Sequence, residues 1–199
     1  HITMAMIFTP LALAYAAFVA RERAAAGVSA AFRLSTSRRL IGSLALLALG
    51  IAIGSAYLVP GVVEQRYLKA QDLVGGYYGY ANHYVYFFQF LSPLWDFGYA
   101  AVGAGDRMPL QLGAVPAVLA LFGAWVLPCL PRRTRRHTGF FLIMSGLLVA
   151  AMLSASQPLW DLFGPLVSFV QFPWRLLSLT TLTLAVAGAA VAASSASNG

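Results

Sequence analysis

The chain has 199 residues, 60% of them hydrophobic and only 10% charged, with a mean hydropathy of +0.75 and a net charge of +7. Soluble domains carry roughly 25% charged residues, so this composition excludes an ordinary water-facing surface and assigns most of the chain to lipid or to its own helices. The single cysteine, Cys129, excludes an internal disulfide and a cysteine-based metal site, and reads as a small apolar residue near a helix end.

Residue 1 is His and runs at once into an apolar stretch with no basic n-region and no small-residue cleavage site, which does not read as a signal peptide. The expectation is one membrane-embedded domain, 1–199, entered in mid-protein and belonging to a larger bundle. A bilayer core needs about 20 mostly apolar residues in a helix. Five stretches meet or approach that length: 2–20, 40–59, 111–130, 139–153 and 176–193. The fourth is short and extends naturally into 154–156. The apolar runs are continuous and do not alternate with polar residues, so helices are expected rather than a barrel. The fold class is therefore all-α, a polytopic helical membrane protein with short interfacial helices in its connections. Gly50 and Gly54 form a Gly-x-x-x-Gly pair in the second stretch, a spacing that permits close helix contact but is common in apolar helices.

The connections alternate in charge. Segments 21–39 and 131–138 together hold nine basic residues and one acid, Glu22, whereas 60–110 and 154–175 hold four basic and five acidic residues. Lysine and arginine concentrate in cytoplasmic loops. Both arginine-rich connections are therefore expected inside, with residue 1 and the two longer segments outside. This placement also accounts for Arg132, Arg133, Arg135 and Arg136 by topology and lipid headgroups, with no need for nucleic acid.

The 60–110 segment is rich in rings from Tyr77 to Tyr99. Tyr and Trp favour the headgroup level, so short amphipathic helices on the membrane surface explain the composition. A lid or wall over a cavity holding a sugar or a lipid chain is compatible with it. Pro93-Leu94-Trp95-Asp96 recurs as Pro158-Leu159-Trp160-Asp161, each copy preceded by polar residues. Polar cap, early proline and nearby acid suit a helix start, so both copies are expected to initiate helices at the surface. The second segment ends in Gln171-Phe172-Pro173-Trp174-Arg175 and enters the last span. Pro173 suits a helix start. A cation in the first turn opposes the helix dipole, so Arg175 calls for a nearby anion, either a lipid phosphate, a substrate phosphate or Asp161, or else snorkels to headgroups.

Three stretches, 1–10, 89–98 and 171–177, resemble the bacterial integral membrane family labelled 6-pyruvoyl-tetrahydropterin synthase-related. That family is similar in turn to C-type-fold membrane glycosyltransferases, which take sugars from polyprenyl-phosphate carriers. The resemblance implies an enzyme acting on a lipid-linked sugar at the outer leaflet. Arg175 would contact phosphate there, and His83, Gln89, Trp95 and Gln171 would line the pocket. In the C-type enzymes the acidic catalytic residue lies in a first outer loop upstream of anything matched here, so Asp96 and Asp161 are not given that role. The pterin chemistry in the family's label finds no support, because His1, His83 and His137 fall in different segments rather than in a zinc cluster. No cofactor and no metal are expected, and the expected partners are membrane lipids and a polyprenyl-phosphate-linked sugar. The alternatives are a non-catalytic scaffold for envelope assembly and a lipid or solute transporter. The transporter reading is weakened because the expected spans contain no Asp, Glu, Lys or Arg.

Overall fold

A computed structural model of the chain describes residues 2–25, 30–64, 67 and 76–196. Of the positions read above, His1 and parts of the 21–39 and 60–110 connections (26–29, 65–66 and 68–75) lie outside these. The described residues are helical with no strand, and an isolated parallel bridge joins Val85 to Leu153. Two compact units are present, His1–Leu73 and Val74–Gly199.

The first unit holds two long helices, α1 (Ile2–Ala25) and α2 (Ala30–Glu64). The expected spans 2–20 and 40–59 lie within these helices, and each helix runs on into the expected connections. The expected connection 21–39 is therefore helical over 21–25 and 30–39, and 26–29 lie outside the described residues. Each helix carries an internal proline, Pro10 and Pro60, which removes a backbone donor. The Thr9 hydroxyl beside Pro10 donates to Ala5 O at 2.7 Å, and such bonds are among the adjustments that let prolines persist in apolar helices.

The second unit is built from α3 (Ala114–Trp125), α4 (Arg132–Met152), α5 (Gln157–Leu162), α6 (Gly164–Val167), α7 (Leu177–Gly188) and α8 (Ala190–Ala196). Helix α7 packs against both α3 and α4. The α3–α7 contact depends on glycine. A Cβ on Gly123 would fall on the carbonyl of Ala187, and one on Gly188 would come within 2.8 Å of the Leu119 Cβ. On the other side of α7 the Ser145 hydroxyl of α4 bonds Thr183 Oγ1 at 2.8 Å. Thr180 and Thr183 are fully buried, and their hydroxyls donate back to Leu176 O and Thr180 O. The exterior has the opposite character: Leu121 and Trp125 on α3 and Ile143 on α4 are 65–75% exposed. Polar groups satisfied inside and large apolar side chains outside make up the pattern of helices packed through small residues in an apolar solvent.

Among the described residues, two helices are long and apolar enough to cross a membrane, Thr3–Arg23 and Pro173–Ser194. The second is not one regular α-helix: a 3-10 turn, Pro173–Leu176, leads into α7 and then α8. The expected third span, 111–130, contains a regular helix of only 12 residues, followed by a 3-10 turn at Leu127–Cys129. Pro128 stops the regular helix there. Helix α4 is 21 residues long because the arginine run expected as a loop is its first turns.

Candidate functional site

Within the second unit the two segments expected to be outer fold onto each other. Val85 N donates to Met152 O at 2.8 Å, and Leu112 N donates to Phe90 O at 3.1 Å. These bonds tie the aromatic segment to the end of α4 and to the approach to α3. Val85, Phe90, Leu110 and Met152 form a buried apolar cluster, with Trp174, Leu176 and Leu177 packed against it. Burying a side chain of this size contributes about 1.5–3 kcal/mol, so the segment is anchored as part of the fold.

On this base, Phe172 is the hub of a ring cluster. His83 packs on it at 4.6 Å between centroids, Trp174 at 5.3 Å, Tyr78 at 6.2 Å and Tyr77 at 6.4 Å. The Arg175 guanidinium carbon lies 4.8 Å from the Phe172 ring centre, a cation–π contact. Arg175 Nη1 donates to Val170 O at 2.8 Å and to Gln171 Oε1 at 3.1 Å. A guanidinium carries five N–H groups. Its Nε and Nη2 hydrogens have no protein acceptor among the described residues, and no carboxylate lies within ion-pair distance of it there.

Asp161, one of the anions the sequence offered for Arg175, is engaged elsewhere. It accepts the Tyr80 hydroxyl at 2.8 Å, in a cluster where Tyr80, Tyr84 and Trp160 pack on one another. That hydrogen bond, then burial and the carboxylate's charge, raise the Tyr80 pKa above its ordinary value. Tyr84 is raised further, chiefly by burial and then by the charges of Tyr80 and Asp161.

His83 is 3% exposed. Its Nε2 lies 2.5 Å from Tyr77 O. A carbonyl only accepts, so Nε2 carries the proton and, in the neutral ring, Nδ1 carries a lone pair. Nδ1 is buried without a protein partner among the described residues, as is the Trp174 Nε1–H. The turn that carries Phe172 is strained. Gln171 has φ 62° and ψ −49°, and Phe172 N donates to Val170 O at 2.6 Å across it. This is a γ-turn of the rare positive-φ kind.

Three of the five site residues expected from sequence are thus brought together: His83, Gln171 and Arg175 meet around Phe172. Gln89 does not join them. Its Oε1 accepts Tyr86 N at 2.8 Å and its Nε2 reaches Asp106 O at 3.5 Å, which uses the buried amide to hold the chain's own 3-10 turn, Phe87–Leu91. Trp95 is 69% exposed, with Phe97 as its ring neighbour. The first Pro-Leu-Trp-Asp copy forms no helix. Leu94 N bonds the Ser92 hydroxyl, and Asp96 accepts Phe97 N and pairs with Arg107 at 3.0 Å, local bonds that satisfy the backbone without a helix. The second copy does start one, with Pro158 in the first turn of α5, but Ser156 donates its hydroxyl to Ala151 O and Leu153 O instead of capping it. Phe172, Tyr77 and Trp174 were not singled out by sequence as site residues, since ring-rich composition marks an interface without telling which rings meet.

No family model matches the sequence, and no curated protein and no solved structure matches it either.

Proposed function

We propose that this is a multi-pass protein of the bacterial cytoplasmic membrane whose Phe172-centred cluster faces the outer leaflet and binds the phosphate of a polyprenyl-linked sugar, for glycosyl transfer. One observation carries the reading: Arg175 is half-buried on an aromatic ring, with no carboxylate partner among the described residues and with uncommitted Nε and Nη2 hydrogens. Guanidinium N–H pairs match phosphate oxygens in number and geometry. The rings around it suit the apolar isoprenoid and the faces of a sugar. The resemblance of 89–98 and 171–177 to the 6-pyruvoyl-tetrahydropterin synthase-related membrane family supports the same substrate class.

Five crossings are part of the proposal. Helices α3 and α4 pack along α7, within one of the two helices long enough to span. Beyond the arginines in the first turns of α4, their large exposed side chains are apolar, so the same apolar slab suits all three. At 1.5 Å per residue, α4 reaches about 31 Å, with its four arginines at one end where they can reach headgroups. Charge bias puts that end inside and the ring cluster outside. The test is sugar transfer from polyprenyl-phosphate donors by the complete protein in lipid. Arg175→Ala is expected to weaken donor use at least tenfold, the scale of one lost charge-assisted contact. Unchanged activity would remove Arg175 from the site.

A further inference from the structure

The Arg175 side chain does two things in this structure: it stands open to an anion on one edge, and on the other it holds the strained turn that keeps Phe172 over His83. We infer that Arg175 and Gln171 form an anion-released latch, and that His83 is the acceptor for a ligand hydroxyl uncovered when the latch opens. The inference rests on the reading of Arg175 as the phosphate contact.

Gln171 has no glycine-like freedom, and its backbone at φ 62° persists only while neighbouring bonds hold it. Val170 O is the key acceptor, taking Phe172 N at 2.6 Å and Arg175 Nη1 at 2.8 Å, and the same Nη1 also holds the Gln171 side chain. The phosphate drawn onto the open Nε–Nη2 edge carries a full charge where Val170 O and Gln171 Oε1 offer only dipoles, and it swings the guanidinium toward itself. Once Nη1 swings away with the guanidinium, Val170 O keeps, among the described residues, only the γ-turn bond, and relaxation of φ at Gln171 to negative values breaks that as well. Phe172 follows directly in the chain and moves with it.

Beneath Phe172, the Tyr77 carbonyl fixes the His83 proton on Nε2, so the uncovered atom is the Nδ1 lone pair. Such an atom accepts a hydroxyl and suits the acceptor molecule of a transfer reaction rather than its phosphate donor. The device therefore orders the ligands: anion first, hydroxyl second.

Carbethoxylation of the His83 peptide by diethylpyrocarbonate, followed by mass spectrometry on the full chain in nanodiscs, reads the latch directly. Wild type is expected to be protected at His83 while His137 reacts. Polyprenyl monophosphate should speed His83 modification about tenfold, the scale of one charge-assisted hydrogen bond, whereas the uncharged polyprenol should not. Inorganic phosphate at high concentration acting like the lipid would place the trigger in the anion alone. Arg175→Gln should leave His83 reactive without ligand and insensitive to it. A folded Arg175→Gln protein still protected at His83 would overturn the latch. Release by Arg175→Gln with no response of wild type to any phosphate would overturn the phosphate reading and leave the clamp standing. Should Arg175→Gln fail to fold, Gln171→Gly serves: glycine accepts the positive φ without strain, so the phosphate response should shrink, and an undiminished response would count against the latch.

Discussion

Alanine at Gly123 and alanine at Gly146 are expected to move stability in opposite directions. Both glycines lie inside helices, where Gly→Ala normally gains about 0.5–1 kcal/mol from lower backbone entropy in the unfolded chain. At Gly146 a Cβ meets nothing within 4 Å, so the full gain of about 1 kcal/mol should appear. At Gly123 it would land on the Ala187 carbonyl, with the carbonyl carbon only 3.2 Å away. The obstacle is helix backbone and cannot rotate aside. Helices α3 and α7 must separate, loosening the packing of Ala120, Leu184 and Ala187. Overpacking of this kind costs about 1–3 kcal/mol, which exceeds the propensity gain and leaves a net loss of about 1 kcal/mol. The two variants should therefore differ by about 2 kcal/mol in the free energy of unfolding, read from SDS titration of the protein in mixed micelles by circular dichroism. Equal stabilisation by both would refute the close α3–α7 approach.

Ser145→Ala should cost about 0.6 kcal/mol in the same titration, typical of hydrogen bonds between helices in lipid, because Thr183 keeps its bond to Thr180 O. A loss beyond about 2 kcal/mol would mean that the hydroxyl pair does more than the structure gives it. Tyr80 and Tyr84 have raised pKa values in the folded chain, so their contribution is complete below the unfolded value of about 10 and is lost as pH climbs through the folded values. Alkaline unfolding should begin above about pH 10 and shift in Asp161→Asn, which removes the charge facing both rings. An unchanged alkaline midpoint would place the Tyr80–Asp161 bond outside the folded core's energetics. Phe97→Cys should react with a membrane-impermeant maleimide in intact cells, while native Cys129 should react after permeabilisation. The reverse order would invert the proposed topology.

The helices were legible because long apolar runs need only composition and length, and both candidate spanning helices fall on expected stretches. Their ends were not. The arginines at 132–136 read as a loop by charge, yet they continue the helix, since exposed arginine is a good helix former and nothing breaks the chain there. Within the site, Arg175 and Gln171 were found because they sit four residues apart at a marked helix entrance. Tyr80 and Asp161 are 81 residues apart and share no pattern, so only the fold joins them. Gln89 shows the limit of residue type as a guide: a buried amide satisfies its own backbone as readily as a ligand. The turn at Gln171 could not be foreseen, because the residue has no preference for positive φ and is held there by a side chain from the next turn.

The proposed function turns on Arg175 as a phosphate contact. Native mass spectrometry of the complete protein released from nanodiscs tests it most directly, by comparing polyprenyl monophosphate with polyprenol of the same length. A saturable adduct is expected with the phosphate alone, weakened at least tenfold in Arg175→Gln. Equal binding of the two lipids, or a phosphate adduct that survives Arg175→Gln undiminished, would contradict it.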